Sequence, residues 1–276
     1  MAKSQALQEL KQELHISYSQ VFTYLGCSLK YQFMYVEARP PEHTNIALSF
    51  GGALHVAIER YYRTLKDKNY LEPLSVLEEL FQDCISMELD HTEIPVLYKK
   101  ETPDRESTIK MGKALLKAFY ESIDLSGMEI VAVELPLSAR LYTDTGEATE
   151  LKLIGVIDLV LRNLEAELIA VDHKSAAKPY AQSTVDSNLQ FSAYSYLLAS
   201  NKYVFPTAPV NCRMDVLRKL KTPKLEHYHT VRTAAHRKRF AKIANAVLSG
   251  IENHIFIPNH SWLCADCQYA KACEAW

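Results

Sequence analysis

Two apolar runs, LKLIGVIDLVLRN at 151–163 and LIAVD at 168–172, each carry a single aspartate. That pairing constrains the fold more than any other feature of the chain. Short runs this rich in Val, Ile and Leu read as buried strands, and the turn NLEAE makes them consecutive neighbours. An ionised carboxylate inside such a run costs on the order of several kcal/mol unless it is paired or bound to a cation. Asp158 and Asp172 can stand side by side on adjacent strands, where their charges repel, and a divalent cation between them resolves the conflict. Lys174 follows Asp172 by two residues, so both side chains leave the strand on one face. A lysine so placed can orient water and stabilise negative charge on a phosphate. A plain surface ion pair has the same spacing.

The rest of the chain alternates helix-length and strand-length segments. Residues 17–36 predict an aromatic-rich helix with Ser17 or Ser19 as its N-cap. Helices are expected over 48–65, 73–90, 107–124, 188–200 and 233–252. Strands are expected over 128–142, 151–163, 168–176 and 210–217 and near 227–231, with DTGE at 144–147 as a hairpin turn. This order implies an α/β protein with a mixed central sheet flanked by helices. The 276 residues suffice for one good core, so a single domain over 1–276 is expected, with its core at 50–200 and a helical insertion at about 63–125. With 48% apolar and 23% charged residues, 8 Gly and 11 Pro, collagenous and disordered classes are excluded.

A net charge of −2 gives no global nucleic-acid signature. The segment 213–242, however, holds Arg213, Arg218, Lys219, Lys221, Lys224, Arg232, Arg237, Lys238, Arg239 and Lys242 against Asp215 and Glu226. It suits a groove that tracks phosphates, or else a solvated helix face. No apolar stretch is long enough to span a bilayer, and the opening MAKSQALQELKQEL lacks the apolar region of a signal peptide. A cytoplasmic, reducing location is therefore expected, where six cysteines point to metal chemistry rather than disulfides. Cys264, Cys267 and Cys273, spaced C-x2-C-x5-C, read as metal ligands, whereas Cys84 and Cys212 lie in apparent core elements and read as buried thiols. Four thiolates suit zinc and an iron–sulfur cluster equally, and spacing alone leaves both open.

Four short patterns stand in order: Gly51 to His55 as GxxxH, GVID at 155–158, Asp172-His173-Lys174, and QFSAY from Gln190 to Tyr194. Together they resemble the RecB-like exonuclease branch of the PD-(D/E)XK nucleases, across roughly residues 50–200. The resemblance implies a restriction-endonuclease-like fold. It also implies that His55, Asp158, Asp172 and the His173 carbonyl hold Mg²⁺ or Mn²⁺. Lys174 would position water, and Gln190 and Tyr194 would line the site. Glu134 in VELPL matches an acidic position before the second strand. YLGCSLKYQF near the start and FIPNHSWLCADCQYAKAC at the end resemble a cluster-bearing branch. That branch includes CRISPR-adaptation nucleases of the Cas-four type and the AddB nuclease domain, and it places one cysteine before the GxxxH helix. By resemblance Cys27 joins Cys264, Cys267 and Cys273 around a 4Fe–4S cluster, although Ser28 and Glu274 replace the prolines common in that branch. The implied activity is exonuclease action on single-stranded or frayed DNA, in recombination, repair or CRISPR adaptation and with possible protein partners. Arg237, Lys238 and Arg239 would contact DNA, and Tyr180 and Tyr24 are candidates to stack on bases. A catalytically silent DNA-binding subunit is the alternative.

Overall fold

The computed structural model describes residues 15–143 and 145–276. The expectations for residues 1–14 and for Asp144 of the DTGE turn lie outside the described residues. In chain order the elements are β1 (His15–Ser17), α1 (Tyr18–Gly26), α2 (Ser28–Tyr31), a π-helical turn (Gln32–Val36), β2 (Thr44–Asn45), α3 (Ile46–Lys68), α4 (Leu74–Asp90), β3 (Val96–Leu97) and α5 (Arg105–Ser122). Then follow β4 (Glu129–Tyr142), β5 (Ala148–Arg162), β6 (Leu168–Ala176), α6 (Gln182–Asp186), α7 (Leu189–Ser200), β7 (Val210–Arg218), β8 (Lys224–Arg232) and α8 (Ala234–Glu252). A 3₁₀ turn (Trp262–Asp266) and α9 (Ala270–Glu274) end the chain.

The architecture is mixed α/β, as the alternation of segments predicts. β4 runs antiparallel along one full edge of β5. The other edge is shared: β1 pairs parallel with Lys152–Ile154, and β6 pairs antiparallel with Leu159–Arg162. The sheet therefore forks between Gly155 and Asp158. β7 continues from β6 in parallel register, and β8 closes the series antiparallel.

Period-two alternation along the strands feeds two separate cores. Ile169, Val171, Leu159 and Leu161 pack with Leu54, Ile58, Tyr62, Phe81 and Phe119 of α3–α5. Ala170, Val160, Met214 and Val216 face Phe191, Leu197, Phe240 and Val247 of α7 and α8. The helices at 74–122 thus form the layer on one sheet face. Gly112 of α5 lies so close to Phe81 of α4 that a Cβ there would sit inside the ring. Gly112→Ala is therefore expected to destabilise the protein by about 1–3 kcal/mol, read from the midpoint of chemical denaturation.

Two local differences from the sequence reading matter for the site. The aromatic helix expected over 17–36 breaks at Cys27, whose backbone is extended (φ −164, ψ 108). The Cys27 thiol accepts a hydrogen bond from the Lys30 amide and so caps α2, while the Cys27 amide closes α1 on Thr23. At the start of α1 the expected Ser17 cap is present as a reciprocal pair with Gln20. β1 and α6 were not legible from periodicity, being three and five residues long.

Candidate metal centre

The β5–β6 ladder ends at Leu159↔Val171, one residue before Asp158 and Asp172 would pair. The two acids thus face each other where the strands part. The His173 amide turns to Asp158 and donates to its Oδ2 at 2.8 Å. On the other edge of β5, Val133↔Leu159 and Leu135↔Ile157 place Glu134 across from Asp158. Glu134 has φ 47, a left-handed value that costs a non-glycine residue roughly 1–3 kcal/mol and that re-aims its side chain. From α3, His55 brings its Nδ1 to 3.5 Å from Asp158 Oδ2.

One donor atom each from His55, Glu134 and Asp158 lies within 4.8 Å of the others, a spacing that one ion can bridge. Asp172 is not in that trio. Its carboxylate, 1% exposed, contacts Lys174 Nζ at 2.9 Å and accepts from Gln190 Nε2 at 2.8 Å and Tyr194 OH at 3.4 Å. Gln190 also bonds the Tyr194 hydroxyl at 2.8 Å, and the Asn188 side chain caps α7 by accepting from the Gln190 amide. Asp172 Oδ2, although close to Lys174, receives no well-directed hydrogen bond.

Electrostatics mark the same place as short of positive charge. Burial pushes the Asp172 carboxyl up, Lys174 opposes this and Asp158 adds to it, with a net upward shift. Burial, then Asp158 and Glu59, raise Glu134 to about 8. Asp158 is the exception. Burial would raise it, but His55, His173 and Lys174 together bring it down to about 2. Lys174 would be lowered by burial, but Asp172 and Asp158 hold it above its usual value, so it stays an ammonium. A site with three carboxylates, two of them pushed toward protonation, and one under-bonded buried oxygen fits a hard divalent cation.

The basic segment behaves differently from the expectation of a continuous phosphate track. Arg213, Arg218, Arg232 and Arg237 are buried and used internally. Arg213 Nη2 and His227 Nδ1 both bond Asp215, at 2.9 and 2.6 Å. Arg218 pairs with Glu226, and Arg232 donates to the carbonyls of Val185 and Asn188. Arg237 donates to Ser195 Oγ and to the carbonyls of Pro206 and Ala208. Lys238 and Arg239 are exposed. The sequence reading passed over Asp215, which is fully buried and has His173 Nε2 3.9 Å away. The i, i+2 spacing of Arg213 and Asp215 on one strand face was the available clue.

Cys27, Cys264, Cys267 and Cys273 line one cavity of about 290 Å³. The Cys273 thiol is pushed up by burial and then by Cys27, Cys267 and Cys264, so the four sulfurs share one neighbourhood. The Ser261 amide donates to Cys264 Sγ at 3.4 Å. Beneath the cavity Leu29, Phe33 and Tyr269 form a small core of their own. Cys84 and Cys212 are buried elsewhere, as expected.

The family description "PD-(D/E)XK nuclease superfamily" matches residues 15–274. The solved structure titled "Putative exonuclease", from Eubacterium rectale, superposes with a TM-score of 0.57 at 10% identity, covering 98% of this chain and 92% of that one. A structure titled SSO0001 gives a TM-score of 0.35 at 12% identity over 90% of this chain and 95% of that one. No curated protein matches the sequence.

Proposed function

The chain belongs to the PD-(D/E)XK nuclease superfamily, and on that premise we propose that it is a metal-dependent deoxyribonuclease, an exonuclease acting on single-stranded or frayed DNA ends. The observation that carries this reading is the convergence of His55, Glu134 and Asp158 at the sheet fork, with Asp172 and Lys174 directly beside them. His55, Asp158, Asp172 and the His173 carbonyl would hold the ion, with Glu134 close enough to join them. Oxygen-rich ligation favours Mg²⁺ or Mn²⁺ over zinc. Bound there, a divalent ion supplies charge neutralisation for the phosphate and acidifies water.

The chain's own groups do the rest. Asp172 fixes the Lys174 ammonium, which orients the attacking water and meets the negative charge growing on the phosphate. Gln190 fixes the rotamer of Asp172, and Tyr194, held protonated by burial and by the charges of Asp158 and Asp172, donates to it. The whole chain would act as one nuclease domain, with Lys238 and Arg239 as its exposed phosphate contacts; Arg237 is better explained as the tie that holds α8.

The four clustered cysteines would bind a 4Fe–4S cluster. The resemblance to the cluster-bearing branch favours iron–sulfur, and zinc is the alternative metal for the same four thiolates. A cytoplasmic role in recombination or CRISPR adaptation follows the same resemblance.

The test is incubation of the full chain with end-labelled single-stranded and duplex DNA, with Mg²⁺ or Mn²⁺ and with a chelator. Progressive shortening of the single strand, stopped by the chelator, is expected. An intact substrate with both ions would overturn the reading in favour of a catalytically silent binding subunit.

A further inference from the structure

The fork in the sheet also determines what flanks Lys174. β1 ends at Ser17↔Ile154, and the next residue, Tyr18, opens α1 beside the fork. β6 leaves the ladder at Val171↔Leu159 and carries Lys174 into the fork from its other side. Tyr18 and Lys174 thus lie on the two segments that bound the gap. The chain leaving β6 then carries Tyr180 to the same opening. The charges agree: Tyr18 feels Lys174, Asp172 and Tyr180, and Lys174 feels Tyr180.

Each tyrosine has a second ring beside it. Phe22 lies one helical turn from Tyr18, ring centroids 5.8 Å apart, and is 55% exposed. Tyr228 of β8 lies 6.3 Å from Tyr180, edge to face. Both pairs are anchored. The Ser17–Gln20 box fixes the turn that bears Tyr18. On the other side Arg218 and Lys219 bond the carbonyls of Ala177 and Ala176, Gln182 bonds the His229 carbonyl, and Tyr228 bonds Glu226. Tyr18, Tyr180 and Tyr228 are half-buried against the α7–α8 core, each with part of its surface open.

We propose that the cleft at the sheet fork seats an unpaired nucleobase of single-stranded DNA between Tyr18, backed by Phe22, and Tyr180, backed by Tyr228. The phosphate next to that base lies at Lys174. Stacking is tolerant of sequence but needs a free base face, so a base still paired within a duplex is excluded from the slot. This rests on the nuclease reading and adds to it the contact that selects a single strand.

The test uses the full chain without added divalent metal and single-stranded oligodeoxynucleotides bearing 2-aminopurine near either end, whose fluorescence is quenched by stacking. Wild type is expected to bind and quench. Tyr18→Ala and Tyr180→Ala are each expected to weaken binding about 5- to 100-fold and to abolish quenching, and Tyr18→Phe and Tyr180→Phe to restore most of both. An oligonucleotide abasic at the quenched position should lose a similar factor against unaltered protein, an arm that does not depend on any variant folding. Alanine variants of wild-type affinity, failure of the phenylalanines to restore binding, or equal affinity for the abasic strand would each overturn the proposal. Quenching without cleavage in either metal would sink the nuclease reading and leave the slot standing. Cleavage indifferent to the abasic position would do the reverse.

Discussion

Asp172→Ala is expected to slow metal-dependent DNA cleavage by on the order of a thousandfold or more, because groups that act as a unit fail together. Three side chains converge on this carboxylate: Lys174 at 2.9 Å, Gln190 at 2.8 Å and Tyr194 at 3.4 Å. Its removal would take away one of the carboxylates proposed to hold the ion and also the partner of the Lys174 ammonium. Stability should change far less than activity, since two effects oppose each other. Burial already disfavours the ionised Asp172, so its loss is partly a relief. The Lys174 ammonium, however, is left facing a half-buried site with Asp158 as its remaining acidic neighbour. Single-turnover cleavage rates and thermal melts of the same preparations check both halves. A variant within tenfold of wild-type rate would remove Asp172 from the machinery.

The strands of this fold were legible because their cause is local. LIGVIDLVL and LIAVD are apolar enough to specify burial on both faces, and the register of β5 with β6 then follows from one short turn. The acids in those runs were legible for the same reason: an unexplained charge in a buried strand needs a partner. Features whose cause lies far along the chain were not. Cys27 leaves the helix because its neighbour Ser28 bonds both backbone groups of Ile257, 229 residues away. Arg232 and Arg237 read in sequence as part of a phosphate-tracking segment or a solvated face, yet each is consumed by carbonyls that only the finished fold brings near. One acid in VELPL has many explanations in sequence; the left-handed backbone of Glu134, which periodicity does not show, is what re-aims its side chain. Tyr18 gave no sign at all, because its place depends on a three-residue strand that exists only by pairing with β5.

Cys264→Ala is expected to abolish the colour of the purified protein and to make the tail beyond Pro258 sensitive to protease. A cross-link between Cys27 and Cys264 closes a loop over most of the chain, worth on the order of 5 kcal/mol in the chain-entropy view. The full amount will not be lost, because the same loop is also closed without sulfur. Leu29 and Ser28 bond Ile257, Asn259 bonds the Gly26 carbonyl, and Gln268 exchanges bonds with the stretch at Glu42 and His43. A melting temperature lowered by about 5–10 °C is the expected remainder. The local effect should be larger than the global one. Beyond Pro258 the principal apolar anchor is Tyr269 against Leu29 and Phe33, a core too small to order the tail by itself if the proposed cluster is lost with Cys264. Two distinct outcomes therefore separate structural clamp from bystander: tail cleavage at protease levels that spare wild type, or a variant as coloured, heat-stable and resistant as its parent. The second would mean that the four thiols meet in one cavity for a reason other than holding the ends of the chain together.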